Sequence, residues 1–448
     1  MPANAPDSLP LTPLQQGMLS HWLQHPHSGA DVEQMICTLP EKLDVSRLRA
    51  AWENAVARHP ALRVSYDWSG EVPVQTVKPH ITLRWEERDF RGHSKEDFTA
   101  FLHTDRYANF GLGTAPLMRL TLLCMAEDDW RLVWTFHHLL LDGRSITRIL
   151  HEVFSDYEGA PCHDGGEDRL PAYLTWQAAL DHSKSEAFWK AHLAGSYGPS
   201  AVVIDGLGLP AAASAQSEED LRLTPETTVS LQALAQRAGV TMNTLVQGAW
   251  ALLISRYNGE EKVIFGATRA CRHVPCDDAE NLVGLLINTV PFQTEVPGDQ
   301  PLIPWLQSLR RTWTEMRAHE LTPLPLIRRM AGLPGDRPLF NHLVVFEHAD
   351  FTEALHRLQP GWTHRQFDLR ELTTVPLTLQ VYGGERLRLH CAFDVSRFDA
   401  AFIRRMLGHV AHLLEQFAGA PESTLNGYTL ATGEESRALI AHGSRGAM

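Results

Sequence analysis

The stretch WRLVWTFHHLLLDGRSITRILHEVF, residues 130–154, decides how the fold is read. Its opening, Trp130 to Phe136, is rich in β-branched and aromatic side chains and predicts a strand. Ile146, Ile149, Leu150 and Phe154 then recur on one helical face, so the passage reads as strand, turn and helix. Between the two lies Phe136-His137-His138-Leu139-Leu140-Leu141-Asp142-Gly143, the most chemical segment of the chain. Neighbours in an extended strand point to opposite sides, so one histidine can enter the core while the other looks into a cleft. Asp142-Gly143 makes the turn into the helix and puts a carboxylate near the histidine backbone, placed to organise the loop or to pair with an arginine.

The same alternation of strand and helix extends outward. Residues 32–38 (VEQMICT) predict a strand, and Asp44 or Ser46 caps a helix bearing Leu48, Trp52 and Val56 on one face. A strand over Leu62 to Tyr66 follows the break at Pro60. Residues 195–220 are rich in Gly, Pro, Ala and Ser and predict a linker, giving an N-terminal domain over 1–194 and a C-terminal domain over 221–448. The second half predicts helices over Glu226–Ala238, Met242–Tyr257, Ile303–His319 and Ala400–Phe417. It also predicts strands over Val263–Ala267 and near Leu285–Thr294, with a hairpin around Gly383-Gly384. The fold class is α/β, shading into α+β. DVSRL from Asp44 and DVSRF from Asp394 both introduce helices, a hint of two halves on one plan that capping chemistry alone can also produce.

At 448 residues, the chain is long enough for two sizeable cores. A net charge of −13 sets it against polyanions and makes a nucleic-acid role unexpected. No stretch approaches the roughly 18 to 20 unbroken apolar residues of a membrane span, and MPANAPDSLP is not a signal peptide, so no membrane partner and a cytoplasmic location are expected. Six cysteines are too sparse for a disulfide scaffold, and Cys271 with Cys276 lacks a second pair for zinc. There is no HExxH helix and no GxSxG elbow, so neither a metal nor an acyl-enzyme is predicted. With 23 histidines a chance pair of buried ones competes with the catalytic reading. A histidine base with no covalent nucleophile suits direct transfer between two bound substrates.

At these residues the sequence resembles the condensation domains of nonribosomal peptide synthetases. Leu9 to Leu19 (LPLTPLQQGML), Arg58-His59-Pro60-Ala61-Leu62-Arg63, and His137 to Ser145 with its HHxxxDG signature are similar to the family's motifs in order. Phe265-Gly266-Ala267-Thr268, Arg272, Asn281 to Pro291 (NLVGLLINTVP) and Phe340 to Glu347 (FNHLVVFE) continue the series, so the likeness runs from about Leu9 to about Leu430. Epimerisation relatives carry an EGH motif where this chain has Gly284 to Thr289, heterocyclisation relatives carry an aspartate pattern, and plant acyltransferases carry DFGWG; none of these is present. Departures from the pattern are Arg144 after Asp142-Gly143, usually an aromatic or aliphatic position, and His319 to Pro325 in place of a His-Gln-Asp run.

The resemblance implies two chloramphenicol acetyltransferase-like subdomains in a V, with a central tunnel. His138 is then catalytic, with His137, Asp142, Gly143 and Arg272 supporting it and Asp142 pairing with Arg272 across the domains. Arg144, Ser145, Asn288 and Thr289 are candidates for the tunnel wall, and Arg58 and Arg63 are structural. The resemblance further implies no permanently bound cofactor. Acyl or peptidyl carrier proteins would deliver a thioester on a phosphopantetheine arm, and a small-molecule or carrier-bound amine or alcohol would accept the acyl group. Arg310-Arg311, Arg328-Arg329 and Arg404-Arg405 are candidate docking patches for acidic carriers, although each also fits a solvated helix face. The wording of LTPLQQGM and HHLLLDG is most similar to the subgroup taking donors that end in a D-residue. With 31 residues after Phe417, the chain reads as a stand-alone enzyme or a piece of a larger synthetase. The rival class is an inactive condensation-like platform that recruits partner enzymes, against which an intact HHLLLDG argues.

Overall fold

The strand predicted over Trp130 to Phe136 forms as Asp129–His137 and lies at the centre of a five-stranded sheet. The order across this sheet is Gln366–Arg370, Val32–Leu39, Asp129–His137, Met118–Ala126 and Trp85–Asp89, with only the last pair parallel. The computed structural model describes residues 8–26, 28–160, 169–195, 198–200, 202, 216–275, 278–333, 338–433, 435 and 437.

The chain forms two units. The first comprises Met1–Asp181, Ala270–Asn288 and Ala349–Thr374, and the second comprises His182–Arg269, Thr289–His348 and Val375–Met448. This division differs from the single cut expected within 195–220. Glu186–His192 is already a helix of the second unit, with Trp189 fully buried in that unit's core. At the other end of the expected linker, Gln216–Arg222 is a strand, paired antiparallel with Arg388–Asp394 at the edge of the sheet. Its sequence, QSEEDLR, is polar because an edge strand has one side open to solvent, and that polarity made it read as linker. Most of the intervening residues lie outside the described ones.

The two later segments of the first unit return to it for stated physical reasons. Gln366–Arg370 adds a strand against Val32–Leu39, from Gln366 opposite Thr38 to Arg370 opposite Gln34. Arg365, 2% exposed, anchors this return: Nε and Nη2 donate to Glu41 at 2.7 and 3.1 Å, and Nη1 lies 2.9 Å from Glu158. Its guanidinium stacks near the Phe154 and Trp362 rings, 4.9 and 5.2 Å from their centroids. Residues 270–288 return through Arg272, described below.

In the second unit the six-stranded order is Asn288–Glu295, Lys262–Arg269, His342–Glu347, Leu377–Tyr382, Arg388–Asp394 and Gln216–Arg222. The helix Met242–Asn258 is apolar nearly all round and is buried from Thr244 through Ser255. The expected hairpin forms between Leu377–Tyr382 and Arg388–Asp394, with Gly384 at φ +109, a conformation that favours glycine. The strand expected near Leu285 begins only at Asn288. Leu285 and Leu286 are apolar because they are packed away, 1% exposed each, and they are not part of the ladder. Among the described residues no helix is long and apolar enough to cross a membrane.

Candidate active site

Side chains from distant segments fix the loop between strand and helix. Thr12 and Gln15 form a capping box at the start of the helix Pro13–Gln24, which uses the Gln15 side chain as an acceptor on one side. Its amide then donates 2.8 Å to the Leu139 carbonyl and 3.0 Å to the Tyr66 hydroxyl, which itself donates 2.8 Å to Leu139. The LTPLQQGM motif thus acts at a distance of 124 residues, by holding the HHLLLDG loop from behind.

Asp142 caps the helix Gly143–Glu158, accepting from Ser145 N at 3.0 Å. Arg272 Nη2 donates to its two oxygens at 2.7 and 2.8 Å and to Ser145 Oγ at 3.1 Å, while Leu286 N donates to Oδ2 at 3.1 Å. Nη1 of Arg272 donates to the carbonyls of Leu282 and Ala279 at 2.7 and 3.2 Å. The expected Asp142–Arg272 pair therefore exists, but it does not join two domains. Residues 270–288 pack within the first unit, so both partners belong to that unit. All of these contacts are structural, and none presents the carboxylate to a reacting atom.

The two histidines divide as strand alternation requires. His137 is fully buried, its Nδ1 accepts 3.2 Å from Leu139 N, and burial pushes its imidazole down to about 4, so it is a neutral core residue. The His138 side chain is 17% exposed. Its backbone N–H donates 2.7 Å to the Asp31 carbonyl, and its Nδ1 lies 2.9 Å from the Leu141 carbonyl and 2.8 Å from Glu33 Oε1. Two acceptors face Nδ1, so in the neutral ring Nδ1 carries the hydrogen and Nε2 the lone pair. Burial opposes the imidazolium, but the adjacent Glu33 carboxylate, with Glu371 and Asp31 behind it, outweighs that and raises His138 to about 10.

Sequence reasoning missed Glu33. The signal was present: Glu33, Met35, Cys37 and Leu39 alternate on one side of Val32–Leu39, all buried, so a carboxylate stands in a core-facing apolar row. Glu33, His138 and Glu371 bring three donor atoms within 4.8 Å of one another. No metal is predicted from the sequence, yet one imidazole and two carboxylates are a donor set for a divalent ion. Nδ1 and Oε1 stand 2.8 Å apart, an ion-pair distance between the imidazole and the carboxylate.

The remaining expected residues fall as follows. Gly143 is the first residue of its helix. Ser145, expected along the tunnel, is 1% exposed, and its hydroxyl is committed to Asp142, Arg272 and Gly284, so it is structural. Arg144 is exposed and paired with Glu280. Asn288, buried, and Thr289, half-buried, open the strand Asn288–Glu295. Arg58 bonds Glu152 and Asp156 at 2.7 and 3.0 Å, and Arg63 donates to the Val56 carbonyl at 3.0 Å, both structural as expected. Of the arginine pairs, Arg404 is already paired with Glu219 at 2.7 Å. Cys271 is buried, and Cys276 lies outside the described residues.

Fold and site together define a class: an α/β protein of two open-sheet units with a partly exposed histidine where a central strand turns into a helix. The family model of the condensation domain matches residues 5–440, and the chain belongs to that family. It is 33% identical over 441 residues to one of the linear gramicidin synthase proteins of Brevibacillus parabrevis, and 34% identical over 463 residues to another. These alignments cover 96% and 98% of this chain but 6% and 9% of the relatives, so the chain spans less than a tenth of their length. Among solved structures, it is similar to a four-domain nonribosomal peptide synthetase bound to AMP and glycine, with a TM-score of 0.81 at 18% identity, covering 96% of this chain and 34% of that one. The first condensation domain of the calcium-dependent antibiotic synthetase in complex with a substrate analogue gives 0.78 at 17%, covering 96% and 100%. The chloramphenicol acetyltransferase-like fold class expected from the sequence is the fold of these structures.

Proposed function

We propose that the chain is a working condensation enzyme that moves an acyl group from a carrier-bound thioester onto an amine or hydroxyl, forming an amide or ester in secondary-metabolite assembly. Family membership supports acyl transfer of the amide-forming kind. The observation that carries the reading is the contrast between neighbours: His137 is sealed in the core, whereas His138 has a partly exposed ring that uses Nδ1, not Nε2, toward Glu33 and the Leu141 carbonyl. The acceptor attacks the thioester carbonyl, its proton passes to Nε2, and the departing thiolate of the phosphopantetheine arm takes it back. Backbone N–H groups at the start of the helix Gly143–Glu158 are the proposed donors to the developing oxyanion. No resident cofactor enters this scheme; the pantetheine arm is substrate.

The test is turnover with a carrier loaded with an acyl donor and a panel of acceptors, read by mass spectrometry. Product with the native chain and its loss by about 10² to 10⁴-fold in His138→Ala is the expected result. Carrier binding without turnover in the native chain would overturn it in favour of a recruitment platform.

A further inference from the structure

His138 does not stand alone, and the residue behind it has no structural need to be charged. Glu33 is 2% exposed, its Oε1 stands 2.8 Å from His138 Nδ1, and among the described residues neither of its oxygens accepts a well-formed hydrogen bond. A carboxylate placed so is costly unless a cation or a proton compensates it: burial pushes the Glu33 carboxyl up to about 7, and the charge of His138 is what opposes that rise and keeps it ionised above that pH. Its surroundings are held firmly. Asp31 adopts φ +60, a conformation uncommon outside glycine; its carbonyl accepts from His138 N, while its own N–H donates 3.1 Å to the Leu372 carbonyl. One strained residue thus ties the histidine to the segment that carries Glu371. The other titratable groups facing the pair are Asp31 itself, His137, and His21, whose Nδ1 is 3.6 Å from Asp31.

We propose that Glu33 is the positioning residue of this site. Its buried carboxylate fixes His138 as the Nδ1–H tautomer, turns Nε2 to the acceptor, and stabilises the imidazolium that forms when Nε2 takes the acceptor's proton. The role rests on the reading that His138 serves the acceptor. The C–N or C–O bond forms as the proton reaches Nε2; the C–S bond breaks as the thiolate recovers it; Glu33 ends as it began, ionised. Stabilising the imidazolium has a second consequence. The free base is scarce at neutral pH, so turnover rises as the solution is made more alkaline, toward a midpoint near 10.

The experiment is a titration of the whole chain with isotope-labelled histidine, followed by NMR, with His138 assigned as the signal missing from His138→Gln. The expected result is a midpoint well above the ordinary 6.5, a neutral form protonated at Nδ1, and a fall of at least about two pH units in Glu33→Gln. Glu371→Gln, at a less buried position, is expected to lower the midpoint by about one unit and keeps the test open if Glu33→Gln does not fold. In turnover, Glu33→Gln moves the alkaline limb down with the NMR midpoint, lowers kcat on the alkaline plateau about 10 to 100-fold, where the ring is neutral in both proteins, and leaves KM for the donor unchanged. A His138 midpoint that neither substitution moves would overturn the proposal. The titration needs no turnover, so it separates failure of this link from failure of the proposed reaction.

Discussion

Asp142 and Arg272, 130 residues apart, meet through one guanidinium nitrogen, Nη2, which donates to both carboxylate oxygens at 2.7 and 2.8 Å, with side chains 0% and 1% exposed. Burying both charges gains little over apolar packing, but removing one partner strands the other without solvent. Asp142→Leu or Arg272→Met is therefore expected to cost about 3 to 5 kcal/mol and to lower the thermal midpoint clearly. The double variant Asp142→Leu with Arg272→Met is expected to cost less than the sum of the singles. Calorimetric or urea unfolding of the three variants checks this, and strict additivity would show that the two charges do not depend on each other.

His138 bears differently on the two acceptor classes. An α-amine titrates near pH 8, so part of it is already neutral, and a base mainly collects the proton after attack. A hydroxyl is far less acidic and needs the imidazole during attack. His138→Ala is expected to reduce ester formation at least about tenfold more than amide formation with matched acceptors. The comparison is made by product quantification under identical donor loading, and equal losses would contradict it.

How legible this was in the sequence depended on whether the signal was local. The strand before His137 and the helix after Gly143 carried their own periodicity and capping residue, so both were readable. Gln366–Arg370 was not: its partner strand lies over 300 residues earlier, and QFDLR alone has too few apolar positions to declare a buried face. Gln216–Arg222 failed for the complementary reason, an edge strand looking like linker. In the site, Asp142 and Arg272 were visible through resemblance, but their joint membership of one unit depended on where residues 270–288 pack. Glu33 was readable in principle as a charge in an apolar row; Glu371 offered no signal, since only the turn around Asp31 and Leu372 brings it near His138.

Glu152 is expected to make the first unit acid-sensitive. Burial alone would raise its carboxyl, but bonds from His59, Arg58 and Arg148 outweigh that and hold it near 2, against an ordinary 4.5. A carboxyl depressed in the folded state adds stability above its unfolded value and loses it as pH falls from about 4.5 to about 2. The shift corresponds to about 3 kcal/mol, absent from Glu152→Gln. Urea midpoints at pH 7 and pH 3 are expected to diverge more in the native chain than in the variant; equal acid losses in both would remove Glu152 as the cause.

Arg365 is expected to hold the returning segment 349–374 to the first unit. Its head pairs with Glu41 and Glu158 while its face lies over Phe154 and Trp362, so charge and stacking act on one planar group. Lysine keeps the charge but has neither the fork nor the plane. Arg365→Lys should therefore fail to rescue what Arg365→Met loses, in contrast to an exposed arginine such as Arg91. Hydrogen exchange read by mass spectrometry is the measurement. Amides of Gln366–Arg370 and of their partner strand Val32–Leu39 are expected to exchange at least about tenfold faster in both variants, the trace of about 1.4 kcal/mol or more lost from local opening. Because the Asp31 turn and Glu371 lie at the end of this strand pair, the same loosening should lower the His138 midpoint in the variants. A strand that loosens while His138 stays unmoved would show that the turn at Asp31 alone fixes the site.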